Sequence, residues 1–434
     1  MKIKTIALLI IAILLLPNIQ ASNVTVDRKS EDNVKEWTYM VYCGGDDVDW
    51  GAEEITDLMV NFVMNLTIPS NSKINAVVLY DWGQAFYAYL NQSRPLRSNI
   101  EIIEEYEEQN FKNYTTLRDF ILTCKNDFPA NRYFLHIHGH GMGWYGMVFD
   151  DEPGDDSKND CLTMAEIKKA INESGGVDIL ETTNCNMGSF ESAYGLRNIT
   201  KYYIASEEVV NLFTPFIAVI NNIKMLQRNH YKSTDFIAKK TVNTFKKSHF
   251  YSFSPIYIVL GLINNILSKQ RVPLSTFVYD GFTMSAIRTD KINEVLNSVN
   301  NLSELFLENL DNYRDVITAA RIKCKDFPDP LPIGKLIDIY DFADKLVTLQ
   351  YYNSKPNLTL AAEKVKKTID EAVVANWVQK GQKDAHGLTL FFPYSNNYST
   401  DMSRWSMQNY TTMDLEFTKD STWDEFLIEY LQTT

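Results

Sequence analysis

Two short segments of this sequence contain residue types suited to nucleophilic chemistry. The first covers residues 138–144, where glycines flank His140 directly after a predicted strand at 133–137. The second contains Cys185, which follows a predicted strand at 177–182. A cysteine and a histidine within hydrogen-bonding reach act as nucleophile and general base. Glycines beside the histidine let backbone amides approach a developing oxyanion, so the two segments together predict a Cys-His dyad.

Strands and helices alternate around both segments. Four more strands are predicted at residues 37–43, 74–82, 100–103 and 202–205. Helices are predicted at residues 50–64, 116–126, 163–174 and 187–196. This alternation predicts an α/β fold with right-handed crossovers and a mostly parallel sheet flanked by helices. The carboxyl ends of neighbouring strands would bring Cys185 beside His140, and the helix that follows Cys185 would lower the pKa of its thiol.

Three histidines at alternate positions allow a different interpretation. His136, His138 and His140 would face one side of an extended strand, and imidazole nitrogens are common zinc ligands. The carboxylate that hydrolytic metal sites often place close by is absent from residues 141–143. A metal-dependent hydrolase that uses these three histidines stays open as an alternative to a cysteine nucleophile.

The composition of the 434-residue chain narrows the classes of protein to consider. Hydrophobic residues make up 45% of it, enough to bury a large core, which excludes a disordered chain. The 55 acidic residues outnumber the 42 basic ones, and the net charge of −13 argues against a nucleic-acid partner. Five cysteines without a C-x-x-C pair do not form a disulfide scaffold, and their odd number predicts a free thiol.

Residues 1–21 have the order of features typical of a secretory signal peptide. Lys2 and Lys4 precede an apolar run at residues 6–16, and the stretch ends at Ala21. Because this run is shorter than the roughly twenty residues that span a membrane, we expect cleavage near Ala21 and no membrane span afterwards. The protein is then secreted or extracytoplasmic. Ten Asn-x-Ser/Thr sequons, which fit an exported glycoprotein, begin at Asn23, Asn65, Asn91, Asn113, Asn172, Asn198, Asn301, Asn357, Asn397 and Asn409.

Several short blocks, taken in order, resemble the clostripain-like cysteine peptidases of the caspase-like clan. The blocks are residues 37–42, 45–49, 140–144, 150–151, 162–163, 185–194, 206–208, 338–343, 387–393 and 423–427. The resemblance covers most of the chain after the signal peptide. It implies a caspase-like catalytic core at residues 36–214, with residues 215–434 as an additional C-terminal α/β region packed on the core. In that region, helices are predicted at residues 234–247, 291–309 and 360–376, with a strand around 387–392.

The resemblance assigns catalysis to His140 and Cys185. His140 is preferred to His138 because only His140 is followed by Gly-x-Gly-Trp. Cys185 would attack the peptide carbonyl, and His140 would assist proton transfer to the leaving amine. The amides of Gly141 and Cys185 would hold the oxyanion. The implied activity is that of a secreted cysteine endopeptidase on protein or peptide substrates, with no required cofactor.

Departures from the family bear on specificity. Family members usually have Asp-Ala before the cysteine, and this Asp belongs to a pocket that accepts Arg or Lys; this chain has Thr183-Asn184 instead. We expect Thr183, Ser206, Glu207 and Glu208 to contact the substrate, with Glu207 or Glu208 as the source of charge for a basic side chain. The expected preference for Arg or Lys before the cleaved bond is therefore weaker, and Asn is a candidate for an accepted residue at that position. The same departures motivate the alternative of a catalytically inactive caspase-like binding module.

Two further hypotheses from the resemblance concern the acidic loop at residues 150–160. Some relatives are activated by self-cleavage between the His and Cys strands, and Lys158 is the basic candidate site in this loop. Some relatives require calcium, for which the loop carboxylates offer ligands, although their spacing is not regular. Self-processing and calcium binding both stay open here.

Overall fold

The computed structural model describes residues 34–44, 72–81, 85–90, 100–106, 109–150, 161–210, 214–252, 281–328, 335–349, 355–394 and 405–432. The predicted signal peptide, the predicted helix at 50–64 and residues 151–160 of the acidic loop lie outside these ranges. Within them, no helix combines the length and the apolar character needed to cross a membrane.

A nine-stranded sheet organises the structure. The strands, in chain order, are β1 (Lys35–Gly44), β2 (Ile74–Asp81), β3 (Ala85–Leu90), β4 (Ile100–Tyr106), β5 (Ala130–His138), β6 (Gly146–Phe149), β7 (Cys161–Thr163), β8 (Val177–Thr182), β9 (Thr200–Ala205), β10 (Thr283–Arg288), β11 (Asp326–Phe327), β12 (Leu336–Asp338), β13 (Val373–Val378) and β14 (Thr389–Phe391). The large sheet has the order β13-β10-β9-β8-β5-β1-β2-β3-β4. Two small sheets, β11-β12-β14 and β6-β7, accompany it.

The centre of the large sheet is parallel and its margins are antiparallel. Strands β9, β8, β5, β1 and β2 pair in parallel, which confirms the predicted parallel α/β core. Strands β3, β4, β10 and β13 extend it with antiparallel pairs. Strands β5 and β8 are direct neighbours, with Ile137 opposite Thr182. The strand that precedes His140 and the strand that precedes Cys185 therefore end side by side, as predicted.

Helices cover both faces of the sheet. They are α1 (Tyr114–Asp127), α2 (Met164–Glu173), α3 (Phe190–Leu196), α4 (Thr214–Asn229), α5 (Thr234–Ser252), α6 (Ile292–Glu308), α7 (Leu310–Lys323), α8 (Ile339–Leu349), α9 (Pro356–Ala372), α10 (Met407–Thr412), α11 (Glu416–Asp420) and α12 (Trp423–Leu431). In β1, Met40 and Tyr42 pack into one hydrophobic core and Tyr39 and Val41 into the other. This alternation follows from the two-residue period of a strand. Helices α4 and α5 cover the Tyr39 face, whereas α1, α2, α3 and α6 contribute to the Met40 face.

The C-terminal region contributes to the same sheet as the predicted core. Strands β10 and β13 pair with each other and join the sheet through β9, so the sheet continues across the expected boundary at residue 214. The predicted helix at 360–376 is wrong in its last turn, because α9 ends at Ala372 and residues 373–378 form β13. The β-branched and aromatic residues of this stretch find a strand partner in β10, and such pairing overrides helical periodicity.

Candidate active site

His140 lies in the loop between β5 and β6, the histidine loop. Its carbonyl oxygen accepts a hydrogen bond from the Val148 N–H at 2.9 Å, which holds the loop closed. The next residue, Gly141, contacts the backbone of Cys185. A Cβ atom at position 141 would lie 2.6 Å from the Cys185 carbonyl oxygen and 3.0 Å from its amide nitrogen, closer than side chains tolerate. Glycine at this position is therefore what lets the histidine loop meet the cysteine backbone.

Cys185 lies in the turn between β8 and α3, the cysteine turn, and is partly exposed. The residue after it, Asn186, has a φ of 59°, a left-handed conformation that asparagine adopts more readily than most residues. The Asn186 N–H donates to the Glu208 carbonyl at 3.2 Å, and its side-chain amide donates to the Glu207 carbonyl at 3.0 Å. These bonds fasten the cysteine turn to the segment after β9.

The Cys185 thiol lies against the backbone of Val210. The Val210 N–H donates to Sγ at 3.4 Å, and the Val210 carbonyl lies 3.7 Å from Sγ. Burial, assisted by the charge of Glu208 and opposed by the Val210 hydrogen bond, raises the pKa of Cys185 to about 11. The prediction of a lowered pKa is therefore wrong for this conformation. Helix α3 begins only at Phe190, with Ser189 as its cap, and a helix dipole acts within about one turn of its end.

Among the described residues, the backbone amides of Gly141 and Cys185 have no hydrogen-bond partner. Gly141 faces Met147 across the histidine loop, but the two hydrogen bonds of this bridge are donated by Met142 and Val148. Within the part of the chain that the structure describes, no hydrogen bond uses the N–H of Gly141 or of Cys185. Two neighbouring amides without partners are what an oxyanion hole requires.

His136 and His138 are buried and share one hydroxyl group. Thr183 Oγ1 lies 3.1 Å from Nε2 of His136 and 3.2 Å from Nδ1 of His138. Burial, with the neighbouring charge of His136, lowers the pKa of His138 to about 3, so its ring is neutral at physiological pH. Nδ1 of His136 lies 2.9 Å from Glu181 Oε2. Of the three histidines, His140 has the most accessible position, being partly exposed.

The histidines do not form a common ligand set in this structure. Both ring nitrogens of His136 have partners inside the protein, and one nitrogen of His138 has Thr183. Among the described residues, no three His, Cys, Asp or Glu side chains are grouped in a way that would hold a metal ion. Of the acidic loop, Asp150 is buried and accepts the Phe111 N–H at 2.7 Å. Calcium binding by the loop stays a hypothesis.

The four residues predicted to contact substrate are all enclosed. Thr183 is 1% exposed, and Ser206, Glu207 and Glu208 are 0% exposed. The Thr183 hydroxyl is hydrogen-bonded to His136 and His138, and the Ser206 hydroxyl accepts the Glu208 N–H at 3.1 Å. The Glu208 carboxylate accepts from the Gln382 side chain at 3.1 Å. Contact with a substrate side chain would therefore require local rearrangement, and the assigned role stays a prediction.

Glu207 and Asp338 form a buried acidic cluster next to His386. The sequence did not predict this cluster and indicated no partner for His386. Glu207 Oε2 accepts the Gly387 N–H at 2.7 Å, and burial, followed by the charge of Asp338, raises the pKa of Glu207 well above its ordinary value. Nδ1 of His386 lies 3.0 Å from Asp338 Oδ1, and the imidazole stacks on Tyr340 at 4.3 Å. Asp338 and Gly387 both lie in blocks of the family resemblance, which was the available signal.

Solved structures share this fold. A secreted cysteine protease from Bacteroides thetaiotaomicron, in complex with an irreversible peptide inhibitor, has a TM-score of 0.60 at 17% identity, covering 90% of this chain and 99% of that one. An inactive zymogen protease from Parabacteroides distasonis has a TM-score of 0.61 at 15% identity, covering 89% of this chain and 98% of that one. At these identities the similarity shows a common fold.

Sequence similarity supplies the family. A segment of 100 residues is 33% identical to clostripain from Hathewaya histolytica and covers 21% of this chain and 19% of that protein. The alignment thus spans a small part of that relative. The sequence profile of the clostripain family, in contrast, matches residues 41–430. Because this match includes both strand ends of the candidate site and most of the C-terminal region, the chain belongs to the clostripain family.

Proposed function

We propose that this protein is a secreted cysteine endopeptidase whose catalytic dyad is Cys185 and His140. The observation that carries the proposal is the contact between Gly141 and Cys185, which joins the histidine loop to the cysteine turn. Membership of the clostripain family supports the same assignment. The amides of Gly141 and Cys185, which donate to no group in the described ranges, supply the donors that acyl transfer needs.

The raised pKa of Cys185 sets the order of proton transfers, because the thiol is protonated at neutral pH. His140 removes the thiol proton as Sγ attacks the carbonyl carbon, and the amides of Gly141 and Cys185 hold the oxyanion that forms. The imidazolium then protonates the leaving amine as the peptide bond breaks, which leaves a thioester on Cys185. Water attacks this thioester and gives a proton to His140. The C–S bond then breaks, the carboxylic acid leaves, and the imidazolium returns the proton to the Cys185 sulfur.

Residue preference at the cleaved bond depends on the charge of the groups around Cys185. Thr183 is uncharged, and the raised pKa of Glu207 favours its neutral form. A substrate arginine would then meet less negative charge than an ionised carboxylate supplies, and burying it unpaired is costly. We expect weak preference for basic residues and acceptance of uncharged ones such as Asn. Self-cleavage at Lys158 belongs to the same proposal and depends on that preference.

The altered residues beside Cys185 also support one alternative, a catalytically inactive binding module of the same fold. It is favoured by the raised pKa of the thiol and by the burial of Glu207 and Glu208. A peptide library assayed with wild-type protein and Cys185→Ala separates the two. Hydrolysis that Cys185→Ala abolishes supports the peptidase, whereas wild-type protein without hydrolysis or peptidyl-electrophile labelling at Cys185 supports the binding module. The other cysteines of the described ranges are buried, so labelling is selective for Cys185.

A further inference from the structure

Asn184, the residue before the candidate nucleophile, lies inside the histidine loop. Its side chain is fully buried, and Nδ2 donates a hydrogen bond to the His140 carbonyl at 2.9 Å. A Cβ atom on Gly141 would lie 2.8 Å from the Asn184 Cβ, and one on Gly139 would lie 3.5 Å from Nδ2. Gly141 therefore leaves the space that the Asn184 side chain fills, and Gly139 lies in ordinary contact with Nδ2.

The contacts of Asn184 are not those of a residue selected for stability alone. Its Oδ1 atom is buried and has no hydrogen-bond partner among the described residues. An unsatisfied buried acceptor lowers the free energy of unfolding, and an alanine would not carry this cost. A local rule broken beside a candidate active site points to a functional reason for the residue.

The hydrogen bond of Asn184 acts on the peptide unit that joins His140 to Gly141. A trans peptide unit is planar, with its C=O and N–H pointing in opposite directions. Two donors, the Val148 N–H and Asn184 Nδ2, fix the direction of the His140 C=O. They thereby fix the direction of the Gly141 N–H, which has no partner in the part of the chain that the structure describes.

We propose that Asn184 is a positioning residue that orients the Gly141 amide toward the oxyanion. This inference rests on the proposed function. Because the oxyanion forms only during acyl transfer, loss of this orientation lowers kcat and leaves KM nearly unchanged. Alkylation of Cys185 by iodoacetamide forms no oxyanion, so its rate reports the thiol without the amide donors.

The test compares Asn184→Ala and Asn184→Leu with wild-type protein. Both variants lack the Nδ2 donor and the buried Oδ1 acceptor; Leu keeps the approximate side-chain volume, whereas Ala also removes it. We expect both variants to lose kcat by about tenfold or more, with KM and the iodoacetamide rate within about twofold of wild type. For Asn184→Ala we expect a melting temperature equal to or above that of wild type. A role in folding alone would lower the melting temperature and spare kcat.

Asn75 offers the matched control. It is also a buried asparagine, but it lies at the opposite end of the sheet and its amide donates to Thr38 and to the Phe128 carbonyl. Asn75→Ala should lower the melting temperature and preserve kcat, the reverse of Asn184→Ala. Wild-type kcat in both Asn184 variants, or equal losses in hydrolysis and alkylation, would overturn the inference. Activity that survives Cys185→Ala would instead reject the proposed function, and the inference with it.

Discussion

Thr183 Oγ1 lies 3.2 Å from Nδ1 of His138, so the side chain that replaces the family's usual aspartate is bonded to an imidazole. The same hydroxyl lies 3.1 Å from Nε2 of His136. A carboxylate at position 183 would therefore interact with these two histidines in preference to a substrate side chain. The local partners of position 183 therefore have to be considered in any attempt to engineer basic specificity.

Replacing Thr183 by Asp should raise the pKa of His138 by about 1 to 3, because a neighbouring carboxylate stabilises the imidazolium. His138 starts from about 3, where burial dominates. Since the new charge is shared with two imidazoles, we expect less than about a tenfold gain in kcat/KM for Arg over Asn substrates.

Histidine NMR titration and paired fluorogenic peptides measure the two effects of Thr183→Asp, and Thr183→Val is the uncharged control. A gain for Arg above tenfold with an unchanged His138 pKa would show that the carboxylate points toward the substrate instead.

The reactivity of Cys185 should rise steeply with pH. Its pKa is raised to about 11 by burial and by the charge of Glu208, so the thiolate fraction grows about tenfold for each pH unit between 7 and 9. The measurement is the rate of iodoacetamide labelling at Cys185, followed by mass spectrometry, with Cys185→Ala as the blank. A rate that is already constant below pH 7 would indicate a preformed thiolate–imidazolium pair and contradict this expectation.

Glu191 should make the protein less stable as the pH rises from about 4.5 to about 7. Burial raises its pKa from 4.5 to about 7, although the Phe391 N–H and the Tyr410 hydroxyl donate to its Oε1 at 2.9 and 3.0 Å. The folded state therefore holds a proton that the unfolded state releases. The stabilisation is complete below about pH 4.5 and is lost as the pH approaches 7.

Glu191→Gln removes this titration and keeps an oxygen acceptor for the Phe391 N–H. We expect the free energy of unfolding of the variant, relative to wild type, to rise by about 3 kcal/mol between pH 4.5 and 8. Urea unfolding at a series of pH values measures it. Parallel pH curves for the two proteins would refute the assignment.

Removing the carboxylate of Asp338 should lower the pKa of His386. Burial alone would lower the pKa of His386, but the hydrogen bond and charge of Asp338 raise it overall. In Asp338→Asn the burial remains and the hydrogen bond to the carboxylate and its charge are gone, while the charge of Asp341 stays, so the pKa of His386 should fall from its wild-type value. Histidine NMR provides the measurement. Tyr340→Phe, which retains the stacked ring, is the control and should leave the pKa raised.

Local sequence patterns were sufficient for the central strands and for the two strand ends of the site. Apolar β-branched runs that stop at glycines or polar residues predicted β1, β2, β5 and β8, and alternation with helices predicted that they run parallel. The type and spacing of His140 and Cys185 predicted their places at adjacent strand ends. The strand at residues 373–378 was not predicted from local patterns, because it exists only through pairing with β10, some 90 residues earlier in the chain.

The electrostatic character of the site depended on tertiary contacts. Sequence alone identified Thr183, Glu207 and Glu208 as the groups that would set the pocket charge. Burial of Glu207 and Glu208 depends on contacts with Gln382 and Gly387, more than 170 residues away in the chain. Charge state is decided by desolvation and by the nearest partners, which are properties of the packed molecule and not of spacing along the chain. For the same reason, the sequence predicted a lowered pKa for the Cys185 thiol, whereas burial in the folded protein raises it.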